Sequence, residues 1–113
     1  MTVNRGLWPW LFQRLTAAFL VVGVGIHFVV LHFLIERPVT LAKIAERLQS
    51  PAWVFFDVLL LLCALYHALN GLYGVLLDFS PPQGLKRWSL WMLWAVGSVA
   101  ALVGVVNLLP FAR

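Results

Sequence analysis

The stretch WVFFDVLLLLCALYHALNGLYGVLL, residues 53 to 77, decides how this chain is read. Asp57 is its only acidic residue. At 1.5 Å per residue a helix of this length crosses the roughly 30 Å hydrocarbon core of a bilayer. Two further apolar segments flank it, from about Leu15 to Ile35 and from about Leu90 to Leu109. Of the 113 residues, 63% are hydrophobic and 11% charged, with a mean hydropathy of +0.95. A globule of this size in water could not cover its surface with so few polar groups, whereas a lipid bilayer removes the need to do so. The fold class expected is an all-α membrane protein with three transmembrane helices, one integral membrane domain over residues 1–113.

Arg5 and Arg14 precede a first apolar run of about 20 residues with no small-residue cleavage site after a short core, so this segment is expected to be retained. The single cysteine, Cys63, excludes an intrachain disulfide and a cysteine-based metal cage within the chain. The net charge of +4 is scattered, without the aromatic-interleaved basic stripe that tracks nucleic acid, so no nucleic-acid partner is expected. Those charges suit the membrane interface instead.

Between the first two segments, Pro38 stops a helix and Thr40 can cap a short amphipathic one over about 40–49. Its Leu41, Ile44, Ala45 and Leu48 share a face, with Lys43, Glu46 and Arg47 elsewhere. The second connection, FSPPQGLKR (79–87), reads as a non-helical link because of its two prolines and glycine. Trp8, Trp10, Trp53, Trp88, Trp91 and Trp94 lie near segment ends, as an aromatic belt requires, and the last three share a face that could equally meet a partner. Orientation is not readable from charge. With three spans, Arg5, Arg14, Lys86 and Arg87 fall on one side and Arg37, Lys43, Arg47 and Arg113 on the other.

On a helix, Gly71, Gly74 and Asp78 fall within about 40° of His67, with Asp78 about 16 Å along the axis from it. The ring is then near mid-membrane and the carboxylate near water. Glycines beside the histidine leave two readings open: a closely packed neighbouring helix, or a flat prosthetic group whose metal the imidazole ligates. An ionisable group at this depth is costly, which favours a ligand over a merely structural ring. His27, with Gly23 and Thr16 on nearly the same face of the first span, is a candidate for a second metal site, with a structural hydrogen bond as the alternative. His32 points elsewhere and reads as structural. Arg14, at the start of that span, can offer forked hydrogen bonds to a carboxylate, phosphate or quinone carbonyl, or can simply anchor at the lipid headgroups. Asp57 is expected at the interface, and Asn70 and Asn107 between helices. No phosphate-binding loop, activated nucleophile, paired mid-membrane carboxylates or HExxH occurs, so hydrolytic and transferase chemistry has no support.

RLTAAFL (14–20) followed by YHALNGLYGVLLDF (66–79) resembles the three-span membrane anchor subunits of succinate dehydrogenase and quinol:fumarate reductase. The resemblance covers most of the chain. It implies a place in a multi-subunit helical bundle with a flavoprotein subunit, an iron-sulfur subunit and a second cytochrome b anchor subunit, in a complex that can form a higher oligomer. It implies that His67 is an axial ligand of heme b shared with the second anchor, with Gly71 beside it and Arg14 near the heme propionates and the quinone pocket. Asp78 and Phe79 would border the quinone. The spacing of eleven from Thr16 to His27 is similar to that of two-heme members, which would make His27 a ligand of a second heme. Electron transfer from the iron-sulfur subunit to quinone would follow, in a bacterial or archaeal cytoplasmic membrane, with the N-terminus cytoplasmic.

Two departures matter. Ubiquinone-reducing D-type anchors commonly carry a tyrosine where Phe79 stands, and Phe79 has no hydroxyl to donate. Either another subunit supplies that donor, or the quinone is menaquinone rather than ubiquinone. C-type anchors usually have a serine shortly before the arginine, and LWPWLFQR (7–14) has none, which favours the D-type over a C-type or fumarate reductase anchor. The rival from another class is a small proton-coupled transporter, which needs a mid-membrane acidic residue, whereas this chain offers Asp57 and Asp78 near the segment ends. A scaffolding subunit with structural histidines is the other rival.

Overall fold

The computed structural model describes residues 6–109; Arg5 and Arg113, two of the charges bearing on orientation, lie outside the described residues. Among those described the chain is helical between short connections, with no strand. Helix α1 (Leu7–Val29) carries Pro9 in its first turn, where a missing N–H costs nothing, and runs on through a π-helical turn, Val30–Leu34. That turn closes with the Ile35 N–H on the Val30 carbonyl at 3.1 Å. Pro38 then bars α-helical geometry at Arg37. Helix α2 (Leu41–Leu48) starts as its sequence suggests, with Thr40 Oγ1 accepting the Lys43 N–H at 3.3 Å.

Helix α3 (Pro51–Asp78) begins on a proline and ends where Ser80 takes φ 50° ahead of Pro81. Helix α4 spans Gln83–Leu108. The non-helical link expected over 79–87 is therefore corrected to 79–82. Proline is excluded from helix interiors but is well placed just before one, so Pro81 and Pro82 end the link and Gln83 starts α4. Each long helix begins before its apolar segment, at Leu7, Pro51 and Gln83, where polar and aromatic residues suited to a membrane interface continue the helix. Three helices, Leu7–Leu34, Pro51–Asp78 and Gln83–Leu108, are long and apolar enough to span a membrane.

Both α1 and α4 pack on α3. The result is 51 × 24 × 23 Å overall and has almost no interior, with Val30, Leu48, Val54 and Leu77 its buried hydrophobic residues among those described. Trp8, Trp91, Phe33, Phe55 and Val99 all face outward. Such a surface is stable only against lipid or further helices, where an outward leucine costs nothing. The α3–α4 contact is made by small residues: a Cβ at Gly97 would stand 2.6 Å from Leu69 Cδ1, and one at Gly104 would collide with Leu61. Close approach of backbones replaces the hydrophobic driving force that lipid cannot supply.

Candidate functional site

Helices α1 and α3 run antiparallel, and on their contact two matched pairs of polar residues meet, Gln13 and Thr16 on one, His67 and Asn70 on the other. Gln13 Nε2 donates to the His67 carbonyl at 3.2 Å, and Asn70 Nδ2 donates to Gln13 Oε1 at 2.8 Å and to the Pro9 carbonyl at 3.3 Å. Gly71 clears the way: a Cβ there would lie 3.1 Å from Gln13 Nε2. Of the two readings of the glycine beside His67, the space at Gly71 is taken by the neighbouring helix.

The Thr16 hydroxyl bears on the tautomer of His67. Thr16 Oγ1 lies 2.6 Å from the Phe12 carbonyl, one turn back, and 3.3 Å from His67 Nδ1. A hydroxyl has one hydrogen, and the carbonyl can only accept, so the hydrogen goes to Phe12. Toward His67 the oxygen then acts as acceptor, which assigns the proton to Nδ1. The neutral ring keeps its lone pair on Nε2, the form in which a histidine ligates a metal while its other nitrogen is held by the protein.

Asp57 lies ten residues before His67, about 15 Å along α3, and the second cluster forms around it. Arg47, on α2, grips its carboxylate with both arms, Nη1 to Oδ2 at 2.8 Å and Nη2 to Oδ1 at 3.0 Å. Both side chains are nearly buried, 8% and 12% exposed, and the guanidinium stacks on Trp53 at 4.7 Å. From α1, His27 Nδ1 stands 3.6 Å from Asp57 Oδ1 and is itself buried without a hydrogen-bond partner, although the ring as a whole is 38% exposed. Asp57, expected at the interface, is thus ion-paired, and Arg47, which lies off the apolar face of α2, is nearly buried against it. The chain reverses tightly at Gln49 and Ser50, which turns that flank of α2 onto the first two turns of α3.

The remaining candidates are more dispersed. Because Gln13 and Thr16 face α3, Arg14 projects outward, where it stacks over Trp10 at 4.6 Å. The Gln13–His67 and Thr16–His67 contacts put it at the depth of His67, not of Asp78. Asp78 is exposed at the end of α3 beside Phe79, itself 80% exposed. His32 Nδ1 bonds to the Phe28 carbonyl at 2.9 Å and its ring stacks on Phe28. Asn70 bridges helices as expected. Asn107 donates its Nδ2 to Val103 O on its own helix at 2.8 Å and lies on the exposed side of α4.

Sequence reasoning missed Gln13 and the partnership of Thr16 with His67. The available signal was the repeated spacing of three, 13/16 and 67/70, on two apolar helices. A cavity of about 250 Å³ between α3 and α4, with Tyr66, Tyr73, Trp94 and Ser98 among its walls, also had no sequence signature. Among the described residues no three His, Cys, Asp or Glu side chains converge on one point.

Comparison with known proteins now bears on these residues. The family model described as succinate dehydrogenase/fumarate reductase transmembrane subunit matches residues 1–106. The succinate dehydrogenase hydrophobic membrane anchor subunit of Archaeoglobus fulgidus is 36% identical over 69 residues, 61% of this chain and 59% of that protein. The protein of the same description from Thermoplasma acidophilum is 30% identical over 76 residues, 66% of this chain and 62% of its own length. The matched stretches thus span about three fifths of each relative. With a family match running through all three spanning helices, the chain belongs to the succinate dehydrogenase/fumarate reductase transmembrane subunit family.

Proposed function

We propose that this chain is the D-type membrane anchor of a succinate:quinone oxidoreductase, that His67 is an axial ligand of heme b shared with a second anchor subunit, and that His27 serves a second heme. The observation that carries the reading is the Thr16–His67 contact. It holds Nδ1 and leaves Nε2 as the lone-pair donor, which is the state heme ligation requires. When bound, the heme supplies one-electron transfer between the iron-sulfur subunit and quinone.

The chain's own residues do the rest. Gln13 and Asn70 fix α1 against α3, which keeps the Thr16 hydroxyl in reach of the ring. Arg14, outward at the same depth, is available to propionates of a group bound between this chain and its sister anchor. His27 lies level with Asp57 and so about 15 Å from His67 along the bundle. That separation suits two stacked groups. Asp78 and Phe79 border the quinone at the opposite end from Asp57, where the flavoprotein and iron-sulfur subunits dock, on the cytoplasmic side of a bacterial or archaeal membrane. Phe79 cannot donate to a quinone oxygen, so a donor from a partner subunit, or a menaquinone, completes that site.

The test is a reduced-minus-oxidised absorbance spectrum of the purified complex. A b-type band that His67→Ala abolishes or diminishes supports the assignment, and a band indifferent to that change overturns it. Loss of about half the heme in His27→Ala supports the second site.

A further inference from the structure

Three facts at the Asp57 cluster are unused by the reading above. His27 Nδ1 is buried and has no hydrogen-bond partner. Asp57 Oδ1, 3.6 Å away, accepts one bond from Arg47 and, as a carboxylate oxygen, has capacity for another. Arg47, which fixes that carboxylate, comes from α2 and is itself held over Trp53. An unpartnered ring nitrogen thus faces an acceptor with a free lone pair, while the His27 side chain as a whole is 38% exposed.

We infer that Asp57, pinned by Arg47, is the positioning residue of His27: it receives the Nδ1–H, turns Nε2 outward toward the partner anchor, and increases electron donation through the ring. This rests on the two-heme reading. A carboxylate behind a metal-bound histidine fixes its tautomer and raises its basicity, which stabilises the oxidised metal. His67 has a neutral hydroxyl in the same place, so the two ligands differ in what stands behind them. Arg47 sets the strength of the effect, because its positive charge offsets the carboxylate that His27 sees.

The inference is tested on the assembled, heme-loaded complex by potentiometric titration and electron paramagnetic resonance, with His27→Ala identifying which signal depends on His27. In Asp57→Asn the His27-dependent heme shifts to a more positive midpoint potential, with heme retention at that site weakened about 10- to 100-fold. In Arg47→Gln the carboxylate is no longer neutralised and the same signal shifts to a more negative potential. The His67-dependent signal stays fixed in both. Opposite signs separate this role from a structural one, since loosening the bundle would move both variants the same way. If Asp57→Asn does not assemble, the double variant Arg47→Met/Asp57→Leu replaces it, with a smaller positive shift expected, because the Arg47 charge leaves together with the carboxylate. Unchanged potentials, shifts of one sign, or equal movement of both hemes overturn the inference while leaving the two-heme reading intact. An undiminished heme content in His27→Ala removes that reading, and the inference with it.

Discussion

The α1–α3 contact holds two polar clusters about 15 Å apart, and they are made of opposite materials. Around His67 the partners are amides and a hydroxyl, and the bonds among Gln13, Asn70 and His67 join two spanning helices. Around Asp57 the cluster is ionic, and its cation comes from α2, a short helix outside the spans. The difference shows how a membrane protein rations charge. Neutral side chains can bridge helices deep in lipid at small individual gain, about 0.6 kcal/mol on average. A carboxylate is tolerated there only with a cation already in place, and α2 delivers Arg47 from the interface.

The ionic cluster is therefore where the comparison breaks most easily. Arg47→Ala leaves Asp57 buried and unpaired, and is expected to cost about 3–5 kcal/mol. The replacement of both partners by Met and Leu should recover most of that, because neither charge then needs solvation. Thermal unfolding of the detergent-solubilised complex, followed by proteolysis at the α2–α3 junction, reads both. A double variant as unstable as the single one would mean that the pair itself, not the orphaned charge, holds α2.

Gly97→Leu acts on the other interface and serves as the control. It drives a side chain into Leu69 and should cost about 1–3 kcal/mol by wedging α4 from α3. The bonds described in the two polar clusters join α1, α2 and α3, although Asn70 also lines the cavity beside α4, so heme spectra assigned to His67 and His27 should survive in whatever fraction remains folded. Spectral loss ahead of unfolding would show that α4 shapes the heme sites directly.

How much of this could be read in advance follows from the range of each interaction. Three apolar runs, the Thr40 cap and the inter-helix role of Asn70 are local or periodic features, and they survive in the structure. The start of α4 at Gln83 was hidden because prolines signal a break without saying which side resumes the helix. The pairing of Arg47 with Asp57 was hidden for a deeper reason. Periodicity sorts a helix into apolar and polar faces, but it cannot say which polar residue finds a partner when the next helix folds back. Thr16 and His67, 51 positions apart, meet only through the α1–α3 register, which no single segment specifies.

Gln13→Leu probes the neutral cluster at its centre. It removes the bonds to Asn70 and to the His67 carbonyl, and the leucine must fit against Gly71. Asn70 retains the Pro9 carbonyl, so the expected loss is about 1–2 kcal/mol, well below that of Arg47→Ala. Unfolding of the two variants under one set of conditions ranks the clusters; reversal of that order would deny that charge makes the difference.

The smallest effect on stability is expected from Thr16→Val, and it discriminates most finely. Valine keeps the shape and the β-branch of threonine and removes only the hydroxyl, so the helix loses an internal bond to Phe12 that contributes little. Stability should fall by about 0.6 kcal/mol. The ring of His67, however, loses the acceptor that fixes its proton on Nδ1, and both tautomers become accessible. Heme retention at His67 should weaken about 10- to 100-fold while the bundle barely changes, with Thr16→Ser restoring it. Retention unchanged in Thr16→Val, measured by heme loss to an apo-globin acceptor, would mean that packing alone orients the ring and that the neutral cluster serves only to join the helices.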